Sequence, residues 1–233
     1  MEKVLYVLDH GAEPPPGLGD LLRGEVAARL LDLGAHHLSV DVADEWVARA
    51  AHRRIVSSGN PPSAVVAVWL DSANDALRAP FDAAVALAGG TASAYLVTES
   101  VALRLPADAV DEDGRVHGMA HVAFLRRRPD LTVEEWFDTW LNHHTQVAID
   151  TQDTFCYVQH PVARVLTPGA VPWDAIVEEC FPEEAMDDDH AFFDAGGDDD
   201  RLSDNRGAMF ESVQRFIDLS QIVVVATSRY DIA

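Results

Sequence analysis

The sequence predicts an α+β protein made of two consecutive βαββαβ units whose bare sheet faces cover one another. Three observations predict it. The order strand, helix, strand, strand, helix, strand reads twice along the 233 residues. An acidic stretch punctuated by Pro and Gly, "LRLPADAVDEDGRVHG" at 103–118, separates the two readings. The closing strands of the two units echo each other in "LVTES" and "VATSR". The expected division is 1–107 for the first unit and 118–233 for the second.

In the first unit "KVLYVLD" reads as a strand, "LGDLLRGEVAARLLDLG" as a helix closed by Gly34, and "HHLSVDVAD" as a strand. After a Pro/Gly break, "SAVVAVWLD" is a strand, "NDALRAPFDAAVALAGG" a helix and "TASAYLVTES" a strand. In the second unit "MAHVAFLRR" is a strand, and "TVEEWFDTWLNHHTQVAIDT" is a helix with Thr132 and Glu135 spaced as a capping box. The strands "TFCYVQHPVARVL" and "DAIVEECF" follow, "NRGAMFESVQRFID" closes a long helical region, and "IVVVATSRY" is the last strand. A βαββαβ unit is the ferredoxin-like split βαβ, with both helices on one sheet face and the other face bare. Two such units in one chain can press those faces together into a barrel-like core.

Composition narrows the function. A 48% hydrophobic content with no apolar run of bilayer length argues against a membrane protein. The start "MEKVLYVLDHGAEPPPG" lacks a signal-peptide layout, so a cytoplasmic location is expected. Seventeen basic against 39 acidic side chains, a net charge of −22, repel phosphate backbones and anionic lipid surfaces, which excludes nucleic acid as an expected partner. The acidic runs "DAVDEDG", "FPEEAMDDDH" and "DAGGDDDRLSD" read as solvated loops and helix N-termini, and none supplies the ligand spacing of an EF-hand. Cys156 and Cys180 are too few for a disulfide framework and read as reduced, half-buried strand residues.

The candidate chemistry lies in "WLNHHTQVAIDTQDTFCYVQH", 140–160. At 100° per residue, Phe137, Trp140, Leu141, Val147 and Ala148 form one stripe with His144 near its centre, while His143 lies at the edge beside Trp136. Taken alone, an imidazole on an apolar helix face is more often a hydrogen-bonded core residue than a catalyst. Strand alternation puts Ile176, Glu178 and Cys180 on one face of "DAIVEECF" and Ala175, Val177 and Glu179 on the other, so one glutamate points among apolar neighbours and needs a partner. Alternation also places Phe155, Tyr157 and Gln159 together, offering donors to a developing oxyanion. Adjacent histidines on a helix diverge by about 100°, so a zinc reading of "HH" is the weakest.

These residues resemble the EthD family. "FLRRRPDLTVEEWFDTWLNHHTQVA" is similar to its signature, an Arg-Arg-Pro segment leading into a helix with Phe137, Trp140 and His144. "DAIVEECF" is similar to the family's Asp-Gly-Ile-Ala-Glu-hydrophobic-Trp-Phe strand at Asp174, Ile176, Glu178 and Phe181, with Ala175 and Cys180 as departures. The resemblance covers most of 118–233 and implies a dimeric α+β barrel, here formed within one chain by tandem ferredoxin-like copies. The first copy looks degenerate, since an overlay puts Val26 opposite His144 and Ala67 opposite Glu178. That asymmetry implies one pocket per chain, with the first half as a structural lid.

The expected function is a cofactor-independent enzyme of isomerase, cyclase or dehydratase type, moving a proton on a hydrophobic carbonyl-bearing or aromatic small molecule. His144 is the expected proton carrier and Glu178 sets its tautomer. Trp140, Tyr157, Gln159, His143 and Phe181 are expected to contact substrate. No metal and no organic cofactor are expected, and a homodimer is possible by the family resemblance. Two alternatives stay open: heme held on a histidine, as in longer duplicated barrels, and a non-catalytic binding or assembly module.

Overall fold

The computed structural model describes residues 1–11, 14–57 and 59–232. Ala12 and Glu13 in the N-terminal stretch, Ser58 in the Pro/Gly break, and Ala233 lie outside the described residues. The strands are β1 (Glu2–Asp9), β2 (His37–Val42), β3 (Ile55–Val56), β4 (Ala64–Leu70), β5 (Thr91–Val97), β6 (Ser100–Leu103), β7 (Met119–Leu125), β8 (Cys156–Val165), β9 (Ala175–Phe181) and β10 (Val223–Asp231). In the first half the sheet order is β2-β4-β1-β5, and in the second it is β8-β9-β7-β10. Both orders are those of a ferredoxin-like unit. Antiparallel pairing of β5 with β8 and of β10 with β2 joins the two sheets at both edges and closes them into a barrel. Closure removes the edges that an open sheet would expose.

Alternation explains how the strands serve two cores. Leu5, Val7, Val65, Ala67, Val122, Phe124, Ile176 and Val225 face the barrel interior. Val4, Tyr6, Leu8, Val66 and Val68 face outward and pack under helices. Strands covered on both faces read as near-continuous apolar runs, which is the pattern of "AVVAVWL".

Helix α1 spans 18–32 and stops at Gly34, whose φ of 94° suits only a residue without a Cβ. Helix α2 spans 75–88, and both pack on the outer face of the first sheet, where Leu22, Val26, Leu30, Phe81 and Val85 fill the space. Helix α3 spans 133–151, and α4 (Asp189–Phe192) and α5 (Asp199–Gln214) follow between β9 and β10. The capping box of α3 forms as the spacing predicts: Glu135 N donates to Thr132 Oγ1 at 3.2 Å and Thr132 N donates to Glu135 Oε2 at 2.8 Å. Two helices carry π-helical segments, Leu22–Val26 in α1 and Asp138–His144 in α3. Val26 and His144, matched in the sequence overlay, each end one of them.

Short elements that the sequence reading does not contain also form. A 3₁₀ segment, Glu45–Arg53, is capped by Asp44, whose side chain accepts from Trp46 N. The short strand β3 pairs with β10, and β6 pairs with β8. Cys156 and Cys180 are cross-strand partners and are fully buried rather than half-buried.

One end of the barrel interior is ionic. Lys3 Nζ donates to Glu99 Oε2 at 2.7 Å and lies 2.6 Å from His160 Nε2, while Arg229 Nη1 donates to Glu178 Oε2 at 2.6 Å. Asp41 sits beside this network, accepting from Thr227 Oγ1 at 3.4 Å. Burial, then the charge of Glu178, push the Asp41 carboxyl up to about 8 against the pull of Arg229 and Lys3. A carboxyl whose pKa rises on folding contributes stability below its unfolded value that is lost as pH climbs through the folded value. Asp41→Asn keeps an acceptor for Thr227 and removes this cost. The difference in melting temperature between pH 6 and pH 9 is therefore expected to shrink in the variant; an equal alkaline loss in both proteins would contradict this protonation state.

Candidate functional site

The second half differs from the first in what lies between sheet and helices. Where the first half is filled, the second encloses a cavity of about 650 Å³. Its floor is the outer face of β7, β9 and β10 with Tyr157 of β8, and its roof is α3, α4 and α5. Most of its wall is apolar: Leu125, Trp140, Val177, Met209, Phe216 and Ile222. Ligand sites combine such walls with a few placed polar groups.

The polar groups on the floor form one row. Glu179 is the cross-strand partner of His121 on one side and of Tyr157 on the other, so all three project from the same face. Glu179 is 9% exposed, and its Oε1 has no hydrogen-bond partner among the described residues. Burial pushes its carboxyl up to about 7. Burial, then the charge of Arg53, lower the His121 imidazole to about 3, which keeps it neutral. Burial, then the charge of Glu179, hold the Tyr157 phenol well above its ordinary range. Gln159 Nε2 donates to the Tyr157 hydroxyl oxygen at 3.3 Å and to Thr145 Oγ1 at 2.8 Å, which leaves the phenolic proton free to donate elsewhere.

His144 faces this row from the roof. The π-helical turn ends on it, and the Trp140 carbonyl accepts both the Thr145 backbone N–H, in the i to i+5 pattern, and Thr145 Oγ1 at 3.0 Å. The ring lies 4.7 Å from Phe216, and Nδ1 is 2.9 Å from Ser212 Oγ on α5. Burial lowers its pKa to about 4, so the imidazole is neutral at physiological pH.

Of the residues picked from the sequence, His144, Trp140 and Tyr157 line the cavity. Glu178 does not. It points through the other face of β9 into the barrel, 0% exposed and paired with Arg229, so it cannot set the tautomer of His144; Ser212 is the group bonded to that ring. Gln159 stands behind Tyr157 as its support rather than at the wall. His143 points outward, 3.6 Å from the Asp138 carboxylate and more than half exposed. Phe181 is buried in a stack with Phe192, with ring centroids 4.5 Å apart. The sequence singles out neither Glu179 nor His121 for the site, although alternation sets Glu179 opposite to Glu178. The first half contributes His52, Arg53, Ile55 and Ser57 to the wall, so it is more than a lid.

The family model for the EthD domain matches 128–220, a stretch that contains α3, β8, β9 and α5. Residues 128–220 are similar to the EthD domain and supply the cavity roof and the central floor strand, while His121 and Arg53 lie outside them. An anthrone oxidase-like protein of known crystal structure is similar over 100% of this chain and 91% of its own, at 13% identity and a TM-score of 0.59. A candidate monooxygenase from Lactobacillus acidophilus NCFM aligns over 100% of this chain and 94% of its own, at 7% identity and a TM-score of 0.49. The first of these likenesses establishes that the whole chain, and not residues 128–220 alone, takes up a fold seen before. Comparison with curated protein sequences returns no match. No helix is long and apolar enough to cross a membrane among the described residues.

Proposed function

We propose that the chain is an enzyme that moves a proton on a hydrophobic carbonyl-bearing or aromatic small molecule, with Glu179 as the base. The observation that carries this reading is an unpaired carboxyl on the floor of an apolar cavity, flanked by Tyr157 and His121. Ionised Glu179 takes a proton from a carbon next to a carbonyl, and the C–H electron pair moves onto the carbonyl oxygen as an enolate. The Tyr157 O–H donates to that oxygen. Neutral His144 donates from Nε2 when Ser212 donates to its Nδ1. Return of that proton from Glu179 to another carbon gives isomerisation, its delivery to a neighbouring hydroxyl that departs as water gives dehydration, and its delivery to the alkoxide formed when the enolate carbon attacks a second carbonyl gives cyclisation. These steps use only side chains of this protein.

Anthrone suits the test, because its methylene is acidified by a carbonyl and two rings and the fold-mate is named for it. In anaerobic D₂O the protein is expected to speed deuterium uptake at that methylene, as read by proton NMR. Uptake at the buffer rate in the wild type, or at the wild-type rate in Glu179→Gln, would remove the assignment.

Heme, the alternative open from the sequence, fits these residues poorly. An axial imidazole is usually backed by a carbonyl or carboxylate at its other nitrogen, and His144 Nδ1 meets a serine hydroxyl instead. A heme-supplemented sample is expected to show the same Soret band in wild type and His144→Ala; a shift lost with the histidine would revive the heme reading.

A further inference from the structure

The cavity is polarised along β7. His121 and Leu125 lie four residues apart on that strand, a span of about 13 Å. Around Leu125 the wall is Trp140, Phe216 and Ile217, with no charged group among them. On the His121 side, Phe192 lies 5.3 Å from the His121 ring and carries Arg53 on its face, and Asp189 joins Arg53 to Arg206.

Arg53 is built into this end. Its side chain is 7% exposed, Nε donates to the Met186 carbonyl at 3.1 Å, Nη1 lies 3.1 Å from Asp189 Oδ1, and the guanidinium sits 4.3 Å above the Phe192 ring. Nη2 alone is left, buried and without a partner among the described residues. His121 Nε2 is likewise buried and unpartnered among the described residues. A guanidinium cannot shed its charge by losing a proton, so an idle buried N–H calls for an acceptor. Asp189 does not neutralise the site, because Arg206 shares it. Two guanidiniums face one aspartate at the mouth of a cavity in a chain of net charge −22. Glu179 is the other carboxyl on this floor, and with burial holding it near half protonation at neutral pH it opposes a bound anion only weakly.

We propose that the His121 end of the cavity is a carboxylate subsite, that Arg53 is its specificity-determining residue, and that the cavity takes a hydrophobic carboxylic acid in its anionic form. This rests on reading the cavity as a substrate site and names the class of molecule that fills it. The planar fork of an arginine matches a carboxylate, and Phe192 with the two anchors holds that fork still before the ligand arrives. The apolar body then lies along Ala123 toward Leu125, past Glu179. Arg53 comes from the 3₁₀ segment of the first half, so head-group recognition requires the part of the chain outside residues 128–220.

Isothermal titration with 2-naphthoate and with its neutral analogue 2-acetylnaphthalene tests this on the full chain. The wild type is expected to bind naphthoate at least about tenfold more tightly, the scale of one hydrogen bond to a charged group. Arg53→Met is expected to abolish the preference and leave the ketone within about twofold of its wild-type affinity. Arg53→Gln, which keeps a donor for Met186, serves if the methionine variant is unfolded and is expected to behave the same way. Equal affinities in the wild type, or a preference that survives in a folded variant, would overturn the carboxylate subsite and leave the proposed function standing. Binding of neither probe would overturn both.

Discussion

Glu179→Gln is expected to slow deuterium uptake at the anthrone methylene by about 10²–10⁴-fold, the usual contribution of a placed general base. The substitution removes a proton acceptor and almost no volume, so affinity for the ketone should stay within about threefold, which separates a chemical loss from a binding loss. The pH profile identifies the base independently. Burial pushes the Glu179 carboxyl up to about 7, so the wild-type rate should level off above pH 7 and fall roughly tenfold per unit below it as the carboxyl takes up a proton. His144 is lowered to about 4 by burial, and a reaction based on it would keep its full rate down to that pH. A break near 4 with none near 7 would transfer the role from floor to roof.

Glu178→Ala is expected to cost about 3–5 kcal/mol of stability in urea unfolding, although Glu178 touches neither cavity nor ligand. The loss comes from the partner. Arg229 is buried inside the barrel, and removing the carboxylate 2.6 Å away strands a guanidinium whose side chain is only 8% exposed. Asp41 stands nearby and can ionise in compensation, so Asp41→Asn combined with Glu178→Ala should cost more than the two changes summed. Burial acts to raise the pKa of Glu178, but Arg229, Lys3 and His160 outweigh it and hold the carboxyl well below the usual range. A depressed carboxyl stabilises above its unfolded pKa, so this contribution is complete at neutral pH and fades as pH falls below the ordinary glutamate range. A loss below about 1 kcal/mol at pH 7 would show that the pair contributes nothing net.

The two glutamates mark how far sequence reading reaches. Alternation along "AIVEECF" states correctly that Glu178 and Glu179 face opposite ways. It cannot say which way the cavity lies, because every residue of β9 is buried. In an open sheet the polar face would mark solvent, whereas here one face meets a barrel and the other a roof of helices, and both accept apolar side chains. His121 was hidden in the same way, inside "MAHVAFL" with no local feature to single it out. Arg53 ends a 3₁₀ segment whose own sequence does not say what it packs against, because its partners, Met186 and Asp189, are more than 130 residues away.

What the sequence by itself determined is what short-range physics encodes. The two βαββαβ runs follow from periods of two and 3.6 residues, the start of α3 from the Thr132–Glu135 capping box, the end of α1 from Gly34, and the inward turn of His144 from its position in an apolar stripe. The tertiary structure alone decided which carboxylate enters the cavity, which is locked to Arg229, and which arginine of the first half reaches the cavity of the second. Those outcomes depend on how two sheets meet at β5–β8 and β10–β2, and edge pairing between distant strands leaves no periodic trace in either one.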